Sequence, residues 1–144
     1  MTESASAWDP STDFGARVER LLGEEATIWL THVNSLGAPL TNAVWFTWDG
    51  ETVLIYSATK ALRNRSIPKN ANVCFHFNTD FHGHETTILH GIATLSDDPP
   101  SDKNEAYMAK YGAQMRDSLK MTPEEYAAGF SVPIRIRPTR SHGF

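Results

Sequence analysis

The chain has 144 residues and a formal net charge of −4, from 13 basic and 17 acidic residues. Hydrophobic residues make up 40% and charged residues 21%, which describes one globular domain over 1–144 rather than a disordered or fibrous chain. The acidic balance disfavours nucleic acid as a partner, no apolar run nears the roughly 18 residues of a membrane span, and a single cysteine, Cys74, excludes an internal disulfide framework.

Residues 1–11 are polar and interrupted by proline, and they read as a loose tail. They carry neither the basic start nor the apolar stretch of a secretory signal, so a cytoplasmic protein is expected. Phe14, Val18, Leu21 and Leu22 follow helical spacing within Thr12–Leu22, with Gly23 as the expected stop. Ala26–Val33 is rich in β-branched and aromatic residues and predicts a strand, and Asn34–Gly37 has turn chemistry. A second strand is expected over Leu40–Trp48. It leads through Asp49-Gly50 into a third over Glu51–Ser57, as a tight hairpin whose central residues need positive φ. Thr59–Asn70 changes character, and Pro68 limits any helix there to a short piece. Strands follow over Val73–Asn78 and Thr86–Leu95, separated by a polar turn at Thr79–His84.

Ser101 is the expected cap of a helix over Asp102–Tyr111, stopped by Gly112. Thr122-Pro123-Glu124-Glu125 combines a cap, a proline at the first helical position and acids in the first turn. Val132–Arg137 alternates as a closing strand. The order predicts a mainly β fold with flanking helices, its hairpin-linked strands closing into a small barrel that hides the sheet edges.

The chemistry-bearing segment lies after the third strand. Lys60, Arg63, Arg65 and Lys69 fall within ten residues, and no acidic residue occurs between Glu51 and Asp80. Ser57 and Thr59 add hydroxyls just before a helix start. Hydroxyls, guanidinium forks and helix N-terminal amides are the groups that hold a phosphate, so a small anion site is favoured over a merely solvated basic face.

In Val44-Trp45-Phe46-Thr47-Trp48 the alternation turns Trp45 away from Phe46. One side can fill a barrel. The other needs a second subunit or a flat ligand, and a homodimer is the economical choice. His76, His82, His84 and His90 with Glu85 invite a metal reading, but solvated turn histidines are favoured and no metal site is assigned. Cys74 sits in an apolar strand and reads as a buried, inert thiol. The C-terminal Arg135, Arg137, Arg140 and His142 could finish as an exposed strand and tail or fold over an anion.

Three blocks carry a resemblance: PLTNAVWFTWDGETVLIYS, SATKALRNRSIPKNANVCFHF and GFSVPIRIRPTRSHGF. Together they resemble the pyridoxamine 5′-phosphate oxidase-like (FMN-binding) split β-barrel family, and more narrowly its deazaflavin (coenzyme F-420)-dependent reductase branch of actinobacteria. The resemblance spans roughly Ala26–Arg140. It implies a six-stranded antiparallel split β-barrel, homodimeric, with a flavin-type cofactor in the cleft between subunits. The positions matching its phosphate site are Ser57, Thr59, Arg63 and Arg65, with Lys60 alongside. Those lining the ring system are Thr41, Asn42, Ala43, Val44 and Trp45. The activity implied is hydride transfer from reduced coenzyme F-420 to a small electron-poor organic substrate. The alternatives are an FMN-dependent reductase or oxidase of the same fold, or a non-catalytic protein binding flavin, deazaflavin or haem. Arg63 stands where family members often carry lysine, and Arg65-Ser66-Ile67 stands where they carry R-N-L.

Overall fold

The structure is a computed structural model and describes residues 7–144. Helix α1 (Asp13–Glu24) starts at Thr12, whose hydroxyl accepts from the Gly15 N–H at 2.9 Å. Gly23 does not stop it. The helix runs on to Glu24 and ends at Glu25, where the backbone extends towards the first strand. The tail expected over 1–11 lies partly outside the described residues, but 7–11 are held in place. Trp8 packs on Trp48 at 5.9 Å between ring centroids, and the Ala7 carbonyl accepts from Ser141 Oγ at 2.7 Å. The chain crosses α1 so closely that a Cβ on Gly15 would lie 1.8 Å from the Asp9 carbonyl oxygen, a position only glycine fills.

Seven strands follow: β1 (Thr27–Val33), β2 (Pro39–Trp45), β3 (Thr47–Trp48), β4 (Val53–Ser57), β5 (Asn72–His76), β6 (Thr87–Leu95) and β7 (Val132–Gly143). All pairs are antiparallel, in the order β2-β1-β5-β6-β7-β4-β3. The two edge strands, β2 and β3, are separated by Phe46 alone, so the sheet must curl into a half-barrel for its edges to approach. The expected six strands become seven because the run read as Leu40–Trp48 changes edge at this residue. Phe46 is fully buried, and its backbone is satisfied from outside the sheet. The Tyr111 hydroxyl lies 2.8 Å from both its N–H and its carbonyl, and Lys110 Nζ donates to the same carbonyl at 2.9 Å. Helix side chains thus replace a neighbouring strand at the seam.

In the Asp49–Thr52 hairpin only Gly50 has positive φ, at 99°. Asp49 acts through its carboxylate, which accepts from the Glu51 and Thr52 N–H groups. The helix after β6 also begins later than expected. Ser101 opens a short 3₁₀ turn (Ser101–Lys103), and Asn104 caps α3 (Glu105–Asp117), which passes straight through Gly112. Tyr107, Tyr111 and Met115 keep one buried face across that glycine, and their burial outweighs its cost of about 1 kcal/mol. Helix α4 (Pro123–Gly129) has the expected Thr122 cap and Pro123 start, and Glu125 reaches back to the Thr122 N–H to complete a capping box.

Two cores result. Inside the half-barrel lie Ile28, Leu30, Phe46, Ile55, Phe75, Leu89, Ile134 and their neighbours, closed by Val18, Leu21 and Leu22 of α1. Outside it, α3 and α4 pack on Leu54 and Tyr56 of β4, and this second core gathers all four tyrosines of the chain. Trp45 belongs to that outer core, stacked on Tyr111 at 4.4 Å. The chain's own helices thus cover the Trp45 end of the β2 face expected to need a second subunit, while Thr41 and Ala43 on the same face stay exposed. No helix among the described residues is long and apolar enough to cross a membrane.

Candidate functional site

The five residues of β4 are all buried, and they deliver Ser57 to one end of the half-barrel. The chain then turns into α2 (Arg63–Ser66), a single helical turn that aims Arg63 back at β4. Arg63 Nη1 donates to Ser57 Oγ at 2.8 Å, and Nη2 reaches Asn42 Oδ1 on β2 at 3.4 Å. Only 8% of Arg63 is exposed, and among the described residues no carboxylate forms an ion pair with it. Burial lowers its pKa from the ordinary value, although a guanidinium keeps its charge throughout the working pH range. A cation removed from water without a counter-charge is costly, and an anionic ligand would offset that cost.

Arg63 and Asn42 sit between two cavities. One, of 330 Å³, is walled beside them by Trp45, Tyr56, Tyr126 and Phe130 together with small and aliphatic residues such as Ala43, Val44 and Leu119. The other, of 410 Å³, is walled by His32, Leu40, Thr41, Ala61 and Leu62 beside the same two residues. The β2 segment from Thr41 to Ala43 is exposed and lies on a sheet edge.

The expected site residues separate into groups. Asn42, Ser57 and Arg63 come together through hydrogen bonds, Ala43, Val44 and Trp45 line the aromatic cavity, and Thr41 lines the second one. Thr59 is occupied elsewhere. Its hydroxyl donates to the Ala128 carbonyl at 2.9 Å and meets Ser131 Oγ at 2.8 Å, tying α4 to the loop. Lys60 is exposed. Arg65 points away from Arg63 into a third cavity of 650 Å³, lined with Val33, Asn34, Ser35 and Lys69 among others. The helix N-terminus expected to help hold a phosphate is also spent. In this one-turn helix the Asn64, Arg65 and Ser66 N–H groups already donate to the Ala61 and Leu62 carbonyls.

Other expected features resolve simply. The C-terminal segment is strand to Gly143, paired with β6, and Arg135 is bound by Asp98 and Asp49 rather than turned to a ligand. Cys74 is a free, half-buried thiol. Among the described residues no group of three or more His, Cys, Asp or Glu converges to hold a metal. His84 pairs with Asp80, His76 stacks on Trp29, and His90 meets His142 at 3.0 Å.

The residues missed from sequence are His32, Tyr56, Tyr126 and Phe130. His32 shares the inward parity of Ile28 and Leu30 in β1, so its place in an apolar strand was the available signal. Tyr126 and Phe130 are four apart around a helix that carries a capping box, which places them on one face.

The fold is thus an antiparallel sheet curled into a half-barrel with flanking helices, and it sets a buried arginine without a carboxylate partner beside a cavity with aromatic residues in its wall. The comparisons agree. Residues 14–141 match the pyridoxamine 5′-phosphate oxidase family, and the chain belongs to that family. It is similar to a solved F420 reductase, at 27% identity and a TM-score of 0.62, over 86% of this chain and 94% of that one. A structure from Listeria innocua provisionally called a pyridoxamine 5′-phosphate oxidase has 21% identity and a TM-score of 0.66, over 88% and 94% of the two chains. A heme storage protein from Vibrio cholerae shares the fold at 14% identity and a TM-score of 0.60, over 91% and 94%. No curated protein matches the sequence significantly.

Proposed function

We propose that this protein is a coenzyme F-420-dependent oxidoreductase, a cytoplasmic homodimer that passes a hydride to a small electron-poor organic substrate. The observation that carries this reading is Arg63, buried and without a carboxylate, at the edge of a cavity walled by Trp45, Tyr56, Tyr126 and Phe130. A planar ring system with an anionic side arm fits that donor set, because aromatic walls accept a flat ring and a guanidinium seeks the anion. Similarity to the F420 reductase favours a deazaflavin over FMN.

When bound, the reduced deazaflavin supplies the hydride. This chain's residues do the rest. Arg63, oriented by Ser57 and Asn42, holds the anionic arm, and Lys60 and Arg65 strengthen the positive field around it. Thr59 acts indirectly, by fixing α4 to the loop that carries Arg63. Thr41, Asn42, Ala43, Val44 and Trp45 present one edge of the sheet to the ring, while Tyr126 and Phe130 exclude water. That edge is open on one side, and a second copy of the chain would complete the cleft.

The test is turnover. Reduced deazaflavin incubated with the protein and a panel of quinones and enones should be oxidised at a rate proportional to protein. Bound FMN that colours the purified protein near 450 nm, with no response to deazaflavin, would replace this reading with an FMN enzyme. Binding of cofactor with no turnover on any acceptor would make the protein a carrier.

A further inference from the structure

Strand β1 alternates so that Ile28, Leu30 and His32 share its inward side. Ile28 and Leu30 meet the barrel core, but His32 arrives where the barrel opens towards α2. The imidazole is 3% exposed, and neither Nδ1 nor Nε2 has a hydrogen-bond partner. Two unsatisfied ring nitrogens are a real cost, since a buried polar group without a partner loses about 1–3 kcal/mol. The cavity of 410 Å³ in front of it is shared with Thr41, Asn42 and Arg63. The groups that β2 turns to it are neutral. The charge acting on it comes from Arg63, the first residue of α2. Two buried, nitrogen-rich side chains therefore face one cavity with no acid between them.

We propose that this cavity is the seat of the bound anion, and that His32 takes up a proton from solvent when the anion binds, so that anion affinity is proton-linked. The proposal rests on the reading of Arg63 as an anion-holding group. In the free protein, burial first and the Arg63 charge second hold the His32 pKa below its ordinary value, which favours the neutral ring. An anion in the cavity cancels the guanidinium's charge and offers acceptors to the ring. One ring nitrogen gains a proton, the imidazolium then has two N–H donors, and no other bond changes. Linkage is reciprocal, so whatever anion binding does for the proton, the proton does for the anion. Affinity rises as pH falls, by at most about tenfold per pH unit for one proton.

Sulfate is the probe, because it stays a dianion where inorganic phosphate itself titrates. Calorimetry of the full-length protein in two buffers of different ionisation enthalpy counts the protons. Wild type should take up roughly 0.5–1 proton per sulfate near pH 6.5, and bind about three- to tenfold more weakly at pH 7.5 than at pH 5.5. His32→Gln should bind sulfate without that uptake and with a flat pH profile. NMR titration of the His32 ring in wild type, with and without sulfate, reads the same event should the variant misfold, and its midpoint should move up on binding. Sulfate binding with no proton uptake, with uptake that survives in His32→Gln, or with an unmoved His32 titration overturns the proposal. Failure of wild type to bind sulfate, or equal binding by Arg63→Ala, instead removes the anion site at Arg63 and the present proposal with it.

Discussion

Two arginines of this molecule have opposite surroundings. Arg135, on β7, makes a two-point contact with Asp98 at 2.6 and 2.9 Å and reaches Asp49 at 3.0 Å and Thr52 at 2.9 Å. Those partners come from the loop after β6 and the β3–β4 hairpin, so the ion pair joins three segments. Hydrogen bonding to Asp98 raises the Arg135 pKa. Arg63 has only the neutral partners Ser57 and Asn42, and burial pulls its pKa the other way. One arginine is answered within the fold, while the other is held in shape with its charge unanswered. That difference separates a structural cation from one prepared for a ligand.

The largest expected effect lies at the unanswered arginine. Arg63→Ala should weaken binding of the cofactor's anionic arm by about 10- to 100-fold, the worth of a charge-assisted hydrogen-bond set, while leaving the melting temperature within a few degrees of wild type. Equilibrium titration beside a thermal melt checks both halves. Arg135→Ala should reverse the pattern. Its removal strips Asp98 of its partner and should cost about 1–2 kcal/mol, a fall of about 3–7 °C in Tm, with cofactor affinity unchanged.

The acid limb of the stability curve sharpens the contrast. Hydrogen bonds from Arg135 hold the Asp98 carboxyl below its ordinary pKa. Burial pushes the Asp49 carboxyl up, but the Thr52 and Glu51 N–H groups and the Arg135 charge leave it net lowered. A carboxylate with a depressed folded pKa contributes stability above its unfolded value, near 4, and loses it as pH falls through the folded value. Melts below about pH 4.5 should therefore destabilise wild type more steeply than Arg135→Ala. The smallest effects belong to Lys60→Ala and Arg65→Ala. Both side chains are exposed, and Arg65 lines a different cavity, so each should change cofactor affinity by less than about threefold, and less still at high salt.

Much of the scaffold was legible because its signals are local. The capping box at Thr122, the Asn34–Gly37 turn and the Asp49-Gly50 hairpin each depend on neighbours a few residues away. Tertiary packing decided what sequence could not. Gly112 has the local chemistry of a stop, but Tyr107, Tyr111 and Met115 bury one continuous face and carry the helix through it. Phe46 looked like mid-strand until the sheet curled and used it as the seam. At the site, the basic cluster was visible but its division was not. Arg63 and Arg65 are two residues apart, and the single turn of α2 sends them to different cavities. His32 carries no local signal, since a histidine among Ile28, Leu30 and Val33 reads as part of a strand and only the tertiary fold leaves its ring without partners.

The most direct test of the central claim is a side-by-side titration of purified wild type and Arg63→Ala with coenzyme F-420 and with FMN. The expected result is saturable binding to wild type, tighter for the deazaflavin, that falls at least about tenfold in Arg63→Ala. Equal affinity in the two proteins, or no binding of deazaflavin at saturating concentration, would contradict it.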